Sequence, residues 1–198
     1  MKKTAVFSFG RMNPPTIGHL KLLKAISSIA AEHNAKGFMY LSMSHDSKKN
    51  PLSFEEKEYY IDEALRFNHI DNVSVEGGKT MLNALHQVYE DGYKNVIVVI
   101  GSDRLDDGTA ETLNKYNGRH AKNSALDELN FYDFDSIDFI SAGQRDEDSD
   151  DVATKASGTL VRKLVAENNY KEFAKYVISL GEETTQDLFI EIKSGLNQ

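Results

Sequence analysis

Apolar positions along the chain alternate between short continuous runs and stretches of helical spacing. Residues 4–9 form a short run with Ala5, Val6, Phe7 and Phe9 and predict a strand. Gly10 and Pro14-Pro15 mark a loop. From about Ile17, Leu22, Ala25, Ile26, Ile29 and Ala30 recur at helical spacing and predict a buried stripe. Residues 37–43 read as a second strand. Ser53, with Glu56 three residues on, reads as a capping box opening a second helix with Ile61, Ala64 and Leu65 inside. A short strand follows at 73–75, then a helix over 80–89 with Leu82, Leu85 and Val88 as its stripe. Asn95–Ile100 is the clearest strand, too continuous for an edge. A helix is predicted over 103–115, a polar surface insertion over 117–133, and a fifth strand over Ser136–Ser141. Helices over 157–166, 170–179 and 182–193 end the chain. Strands that alternate with helices predict an α/β fold, a parallel sheet covered on both faces. A ligand then belongs at the carboxyl ends of the strands, at a topological switch point.

Composition narrows the function classes. At 198 residues, 40% hydrophobic and 27% charged, the chain suits one α/β domain with short extensions. With 23 basic and 31 acidic residues the net charge is −8, which argues against a nucleic-acid polymer as main partner. A small phosphate ligand needs only a few local cations and a helix N-terminus. The acidic stretch over 133–151 reads as a solvated loop. No apolar run reaches the length that spans a bilayer, and no signal-peptide pattern is present, so no membrane partner and a cytoplasmic location are expected. There is no cysteine, hence neither a disulfide nor a thiolate metal site.

The chemistry concentrates in Gly10-Arg11-Met12-Asn13-Pro14-Pro15-Thr16-Ile17-Gly18-His19, between the first strand and the first helix. Thr16 and His19 stand three apart at a helix start, where both can face one ligand. Gly18 permits close approach of a ligand to the backbone. The helix start offers N–H groups and the positive end of its dipole. His19 can donate to an α-phosphate oxygen, and Arg11 adds a fixed charge. A second string, Ser157-Gly158-Thr159-Leu160-Val161-Arg162, again joins a helix cap to a cation.

Together these strings resemble the HxGH/TxGH nucleotidyltransferase superfamily, whose second motif has the form S-x-T-x-x-R. The string Gly10-Arg11-x-x-Pro14-x-x-x-Gly18-His19 looks like the archaeal-type nicotinamide mononucleotide adenylyltransferases in particular. Those carry His where this chain has Thr16, and phosphopantetheine adenylyltransferases commonly carry threonine there. The resemblance implies a Rossmann-like nucleotidyltransferase domain over residues 1–180 with a helical extension over 181–198. It implies nucleotide contacts at Phe9, Gly10 and Gly18, and places Ser157, Thr159 and Arg162 on the β- and γ-phosphates. Gly101-Ser102-Asp103-Arg104 is similar to an adenine-side loop, so Gly101, Asp103 and Arg104 join the nucleotide set, with Asp103 either bonding the nucleotide or capping a helix. Lys48-Lys49-Asn50-Pro51 and Ser141-Ala142-Gly143-Gln144-Arg145-Asp146 look like enzymes encoded by large tailed bacteriophages, for which the host cytoplasm would be the location. One of Lys48 and Lys49 is expected to reach the phosphates.

The implied reaction transfers AMP from ATP to a small phosphorylated acceptor, nicotinamide mononucleotide first, and releases pyrophosphate. Mg²⁺ is expected on the nucleotide phosphates rather than in a protein cage, and no protein metal site is predicted. Assembly into a homo-oligomer is left open. Cytidylyl transfer, phosphopantetheine adenylyl transfer and a non-catalytic nucleotide sensor are the rival readings. Related enzymes often stack the nicotinamide ring on tryptophan. This chain has none, so Phe, Tyr or His would substitute. Gly77-Gly78-Lys79-Thr80 hints at a P-loop, but the first glycine of that pattern would fall on Val73. His33, His45, His69, His86 and His120 lack metal-ligand spacing and read as surface or structural residues.

Overall fold

The computed structural model of the protein describes residues 3–101, 107–119, 130–143 and 151–197. Strands β1 (Thr4–Gly10), β2 (Lys36–Ser42), β3 (Val73–Gly78), β4 (Asn95–Ile100) and β5 (Ser136–Ser141) form one sheet in the order β3-β2-β1-β4-β5. Every pair is parallel. Parallel neighbours need crossovers, and helices α1 (Ile17–Glu32), α2 (Phe54–Phe67), α3 (Met81–Glu90) and α4 (Thr109–Tyr116) lie in the β–α connections. Helices α5 (Val152–Lys155), α6 (Gly158–Ala166), α7 (Tyr170–Tyr176) and α8 (Glu182–Leu196) follow β5. This is the Rossmann-like α/β fold that the alternation predicts.

Side chains alternate across the sheet and build one apolar cluster on each face. Val6, Met39, Leu41, Ile97 and Val99 point to a cluster shared by α1, α2, α6, α7 and α8, including Ile26, Ile61, Val161, Phe173 and Leu188. Ala5, Phe7, Tyr40, Val96 and Val98 point to the other, closed by Leu85 and Val88 of α3 and Leu113 of α4. Burial on both faces explains why β1 and β4 read as continuous apolar runs.

Several details differ from the pattern-based reading. Met43 lies beyond β2 and is exposed. The buried stripe of α1 is Leu20, Leu23, Ile26, Ile29 and Ala30. Leu22 and Ala25 are only half-buried, because the helix is rotated so that Leu22 lines a cleft instead. The polar 117–133 stretch is not all surface: Tyr132 is buried and its hydroxyl donates to the Leu113 carbonyl at 2.7 Å. Asn117 brackets Phe134, donating to its carbonyl and accepting its N–H, each at 2.9 Å. Aromatic burial there outweighs the local polarity. Helix α4 starts at Thr109, behind Gly108 in a left-handed conformation (φ 82), and the earlier part of the predicted 103–115 helix falls partly outside the described residues. The short helix α5 has no signal beyond its N-cap, Asp151, which accepts the Ala153 N–H. Among the described residues no helix is long and apolar enough to cross a membrane.

Two later segments reach back to the start of the chain. Val177 bridges Thr16, and the Ile178 N–H donates to the Pro15 carbonyl at 3.2 Å. From β1 the chain proceeds outward to β2 and β3, then returns to the far side of β1 for β4. The crevice of such a sheet opens at the carboxyl ends of β1 and β4.

Candidate active site

A cavity of about 770 Å³ occupies that crevice. Its walls are the β1–α1 loop, the ends of β4 and β5, the segment before α2, and the starts of α5 and α6. Phe9, Gly10, Arg11, Gly18, His19, Lys49, Gly101, Ser157, Thr159 and Arg162 all line it. Thus the two strings that lie about 140 residues apart in sequence share one cavity. Lys48 is exposed and does not line it. Asp103 and Arg104 lie outside the described residues.

His19 is set by the start of its own helix. Thr16 is the N-cap, and its N–H donates to His19 Nδ1 at 2.9 Å, so the ring reaches back as the Glu of a capping box does. The Thr16 hydroxyl oxygen lies 3.1 Å from the same nitrogen. A nitrogen that accepts a backbone N–H carries no proton, so the neutral ring holds its proton on Nε2. Thr16 itself is fully buried and lies behind the cavity wall, so it orients His19 rather than facing a ligand beside it. Gly18 also differs from expectation. A Cβ placed there would come within 2.8 Å of the Ala153 carbonyl oxygen, so the close approach Gly18 permits is that of α5. An ion pair between Lys21 of α1 and Asp151 joins the same two segments.

Arg162 is held by neutral acceptors. One of its terminal nitrogens donates to the carbonyls of Asn13 at 2.7 Å and Lys49 at 3.1 Å. The other donates to the Thr159 hydroxyl at 3.1 Å. Burial first, and the adjacent Arg11 charge second, push its pKa below the usual guanidinium value, although arginine stays charged in proteins. Two neighbouring cations with no carboxylate bonded to them among the described residues make this wall attractive to an anion. Ser157 caps α6, accepting the Leu160 N–H at 3.1 Å, so the start of α6 opens on the cavity beside Arg162.

The lysine segment is a built turn. Asp46 and Asn50 exchange backbone hydrogen bonds, and the Asp46 carboxylate accepts the N–H groups of Lys48 at 2.9 Å and Lys49 at 2.7 Å and the Asn50 side-chain amide. The Lys49 N–H, and next the Asn50 amide, hold the Asp46 carboxyl at about 2. Asp46, Asn13, Lys21 and α5 join the site without being expected from the sequence. Asp46, four residues before Asn50, is an ordinary turn signal, and the others carry none.

A smaller cavity of about 290 Å³ lies between the starts of α3 and α4, lined by Thr80, Met81, Leu82, Asp107, Gly108, Thr109, Thr112 and Leu113. Gly77 and Gly78 end β3 against Phe54 and Ala84, and Thr80 caps α3, so this string is not a phosphate loop. His86 Nδ1 lies 2.6 Å from the Phe131 carbonyl, a structural contact. No group of three or more His, Asp or Glu placed to hold a metal occurs among the described residues.

No protein-family model matches the chain, and no curated protein matches it by sequence. Solved structures do match. A Plasmodium falciparum nicotinic acid mononucleotide adenylyltransferase complexed with NaAD superposes with a TM-score of 0.62 at 13% identity, over 98% of this chain and 97% of that one. The same enzyme complexed with APC gives 0.61 at 14% identity, over 98% and 97%. A Francisella tularensis bifunctional NMN adenylyltransferase/ADP ribose pyrophosphatase complexed with AMP and Mn ion gives 0.56 at 18% identity, over 100% of this chain and 52% of that one. At these identities the likeness is one of fold, and it extends across the whole sheet and its helices.

Proposed function

We propose that the chain is an adenylyltransferase that transfers AMP from ATP to a small phosphorylated acceptor, first nicotinamide mononucleotide, with release of pyrophosphate. The observation that carries this reading is the hydrogen bond from Arg162 to the Asn13 carbonyl, which joins the second motif to the first in one cation-lined crevice. Structures of the same fold that bind NaAD, APC or AMP support it.

In this reading an acceptor phosphate oxygen attacks the α-phosphorus of ATP, the bond to the bridging oxygen breaks, and pyrophosphate leaves. His19 Nε2–H donates to an α-phosphate oxygen as charge builds there. The start of α6 with Thr159 and Arg162, together with Arg11 and Lys49, receives the leaving phosphates. Both reactants are held face to face, so no covalent enzyme intermediate is required. Among the described residues the protein offers no cage for a divalent ion. Mg²⁺ would ride on the phosphates and neutralise part of their charge.

The test measures pyrophosphate release with ATP and with CTP against nicotinamide mononucleotide, its acid analogue, phosphopantetheine and an alditol phosphate. Turnover with ATP and nicotinamide mononucleotide is expected. Preference for phosphopantetheine would move the acceptor, and preference for CTP would move the nucleotide. ATP binding without turnover on any acceptor would leave a sensor.

A further inference from the structure

Asn13 lies in the loop between β1 and α1, and both polar atoms of its side chain point to the backbone of one distant residue. Its Nδ2 donates to the Leu52 carbonyl at 2.7 Å, and its Oδ1 accepts the Leu52 N–H at 3.0 Å. Asn13 is 5% exposed and Leu52 is fully buried, so neither bond is shared with solvent. The same residue's backbone carbonyl accepts from Arg162, which also donates to the Lys49 carbonyl. A single asparagine therefore ties together the His19 loop, the lysine turn and α6.

The lysine turn needs that tie. Its internal bonds run through Asp46, and Asn50 keeps a buried Oδ1 without a hydrogen-bond partner among the described residues. Its lysine side chains are exposed, so nothing local fixes where Lys49 stands relative to His19. The Asn13 bracket at Leu52 and the Arg162 bond at Lys49 fix the backbone on both sides of Asn50.

We infer that Asn13 is a positioning residue that acts through Lys49, holding the lysine turn against the His19 loop. Asn13 lines the cavity, and its side chain spends one N–H and its oxygen on Leu52, so its pull on the crevice runs through the backbone it holds. The inference rests on the nucleotide reading of the crevice.

The experiment is a double-substitution cycle on the full chain with Asn13→Ser and Lys49→Met. ATP affinity is read by calorimetry, kcat and KM by pyrophosphate release, and stability by thermal unfolding. Asn13→Ser is expected to weaken ATP binding about tenfold and to raise KM more than it lowers kcat, while in the Lys49→Met background it costs less than about twofold. Equal costs in both backgrounds, or a lowered melting temperature with unchanged ATP affinity, would overturn the positioning role. Should Asn13→Ser fail to fold, Asn13→Asp, which keeps the acceptor for the Leu52 N–H, carries the same cycle. If the protein binds ATP but turns over no acceptor, the transferase reading fails while the affinities still decide the role of Asn13. If it binds no triphosphate, the inference falls.

Discussion

His19 and Arg162 are both set in place by neutral partners. The Thr16 N–H fixes the His19 tautomer, leaving Nε2 as the ring's donor. His19→Ala is expected to lower kcat by roughly 10²–10³, the scale for one preorganised donor at a developing charge. Full turnover by that variant would remove His19 from the reaction. Arg162→Lys keeps the charge but cannot span the Asn13 carbonyl, the Lys49 carbonyl and the Thr159 hydroxyl together. Steady-state kinetics should show KM for ATP raised about tenfold in that variant, as expected for losing charge-assisted bonds. An unchanged KM would mean that charge alone matters at this position. His19 and Arg162 were legible in sequence because each stands a fixed step from a helix start. Asn13 was not, because its partner Leu52 lies 39 residues away and only folding brings them together.

At the scale of elements, α8 is more than an appendage to the sheet. Leu188, Phe189 and Ile192 enter the core cluster, and Gly195 lies so close to the lysine turn that a Cβ there would stand 2.0 Å from the Pro51 carbonyl oxygen. Alanine is the better helix former by about 1 kcal/mol. The clash should nonetheless win, and Gly195→Ala is expected to destabilise the protein by about 1–3 kcal/mol, the usual cost of overpacking. Urea unfolding measures it, and a raised midpoint would mean that the last turn of α8 simply moves aside. Element existence was readable along most of the chain, since strands buried on both faces and capped helices leave periodic signals. The Ser53–Glu56 capping box forms as its spacing predicts, with the Ser53 N–H donating to Glu56 at 2.6 Å. The phase of α1 was not readable, because Leu20, Leu22 and Leu23 are equally apolar and only the sheet selects which of them face inward.

For the whole molecule, the buried Lys57 gives stability a distinctive pH dependence. It has no exposed surface, its ammonium donates to the Ser42 carbonyl, and burial lowers its pKa from 10.5 to about 8. Below pH 8 the folded state carries a charge that burial penalises. Between about pH 8 and 10 the folded state releases this proton while the unfolded chain keeps it, so the unfolded state binds more protons and stability rises with pH. Above about pH 10 the trend reverses. Burial raises the pKa of Tyr40, Tyr60 and Tyr132, so the unfolded chain now loses protons first. Denaturant unfolding against pH should show a rise on the order of 2 kcal/mol across that window. Lys57→Met should abolish the rise, and a rise that persists in this variant would assign it to other groups.

Charge is also arranged at this scale. A chain of net charge −8 gathers Arg11, Lys49 and Arg162 around one crevice. Raising salt should therefore weaken ATP binding, because part of the attraction is screened. Calorimetry at low and high ionic strength reads this directly, and a salt-independent affinity would argue against these cations as the phosphate contacts.

Local sequence sets the alternation of strands and helices, the two capped helix starts and the types of residue that stand at them. Those features are local: periodicity, caps and turns act within a few residues, where the chain has no choice of partner. Tertiary structure decided the rest. It placed Thr16 behind His19, filled the space over Gly18 with Ala153, brought Lys49 but not Lys48 to the crevice, and gave Asn13 its grip on Leu52. Each of these depends on which surfaces pack together across tens of residues, a choice made by the burial of two apolar faces of one sheet.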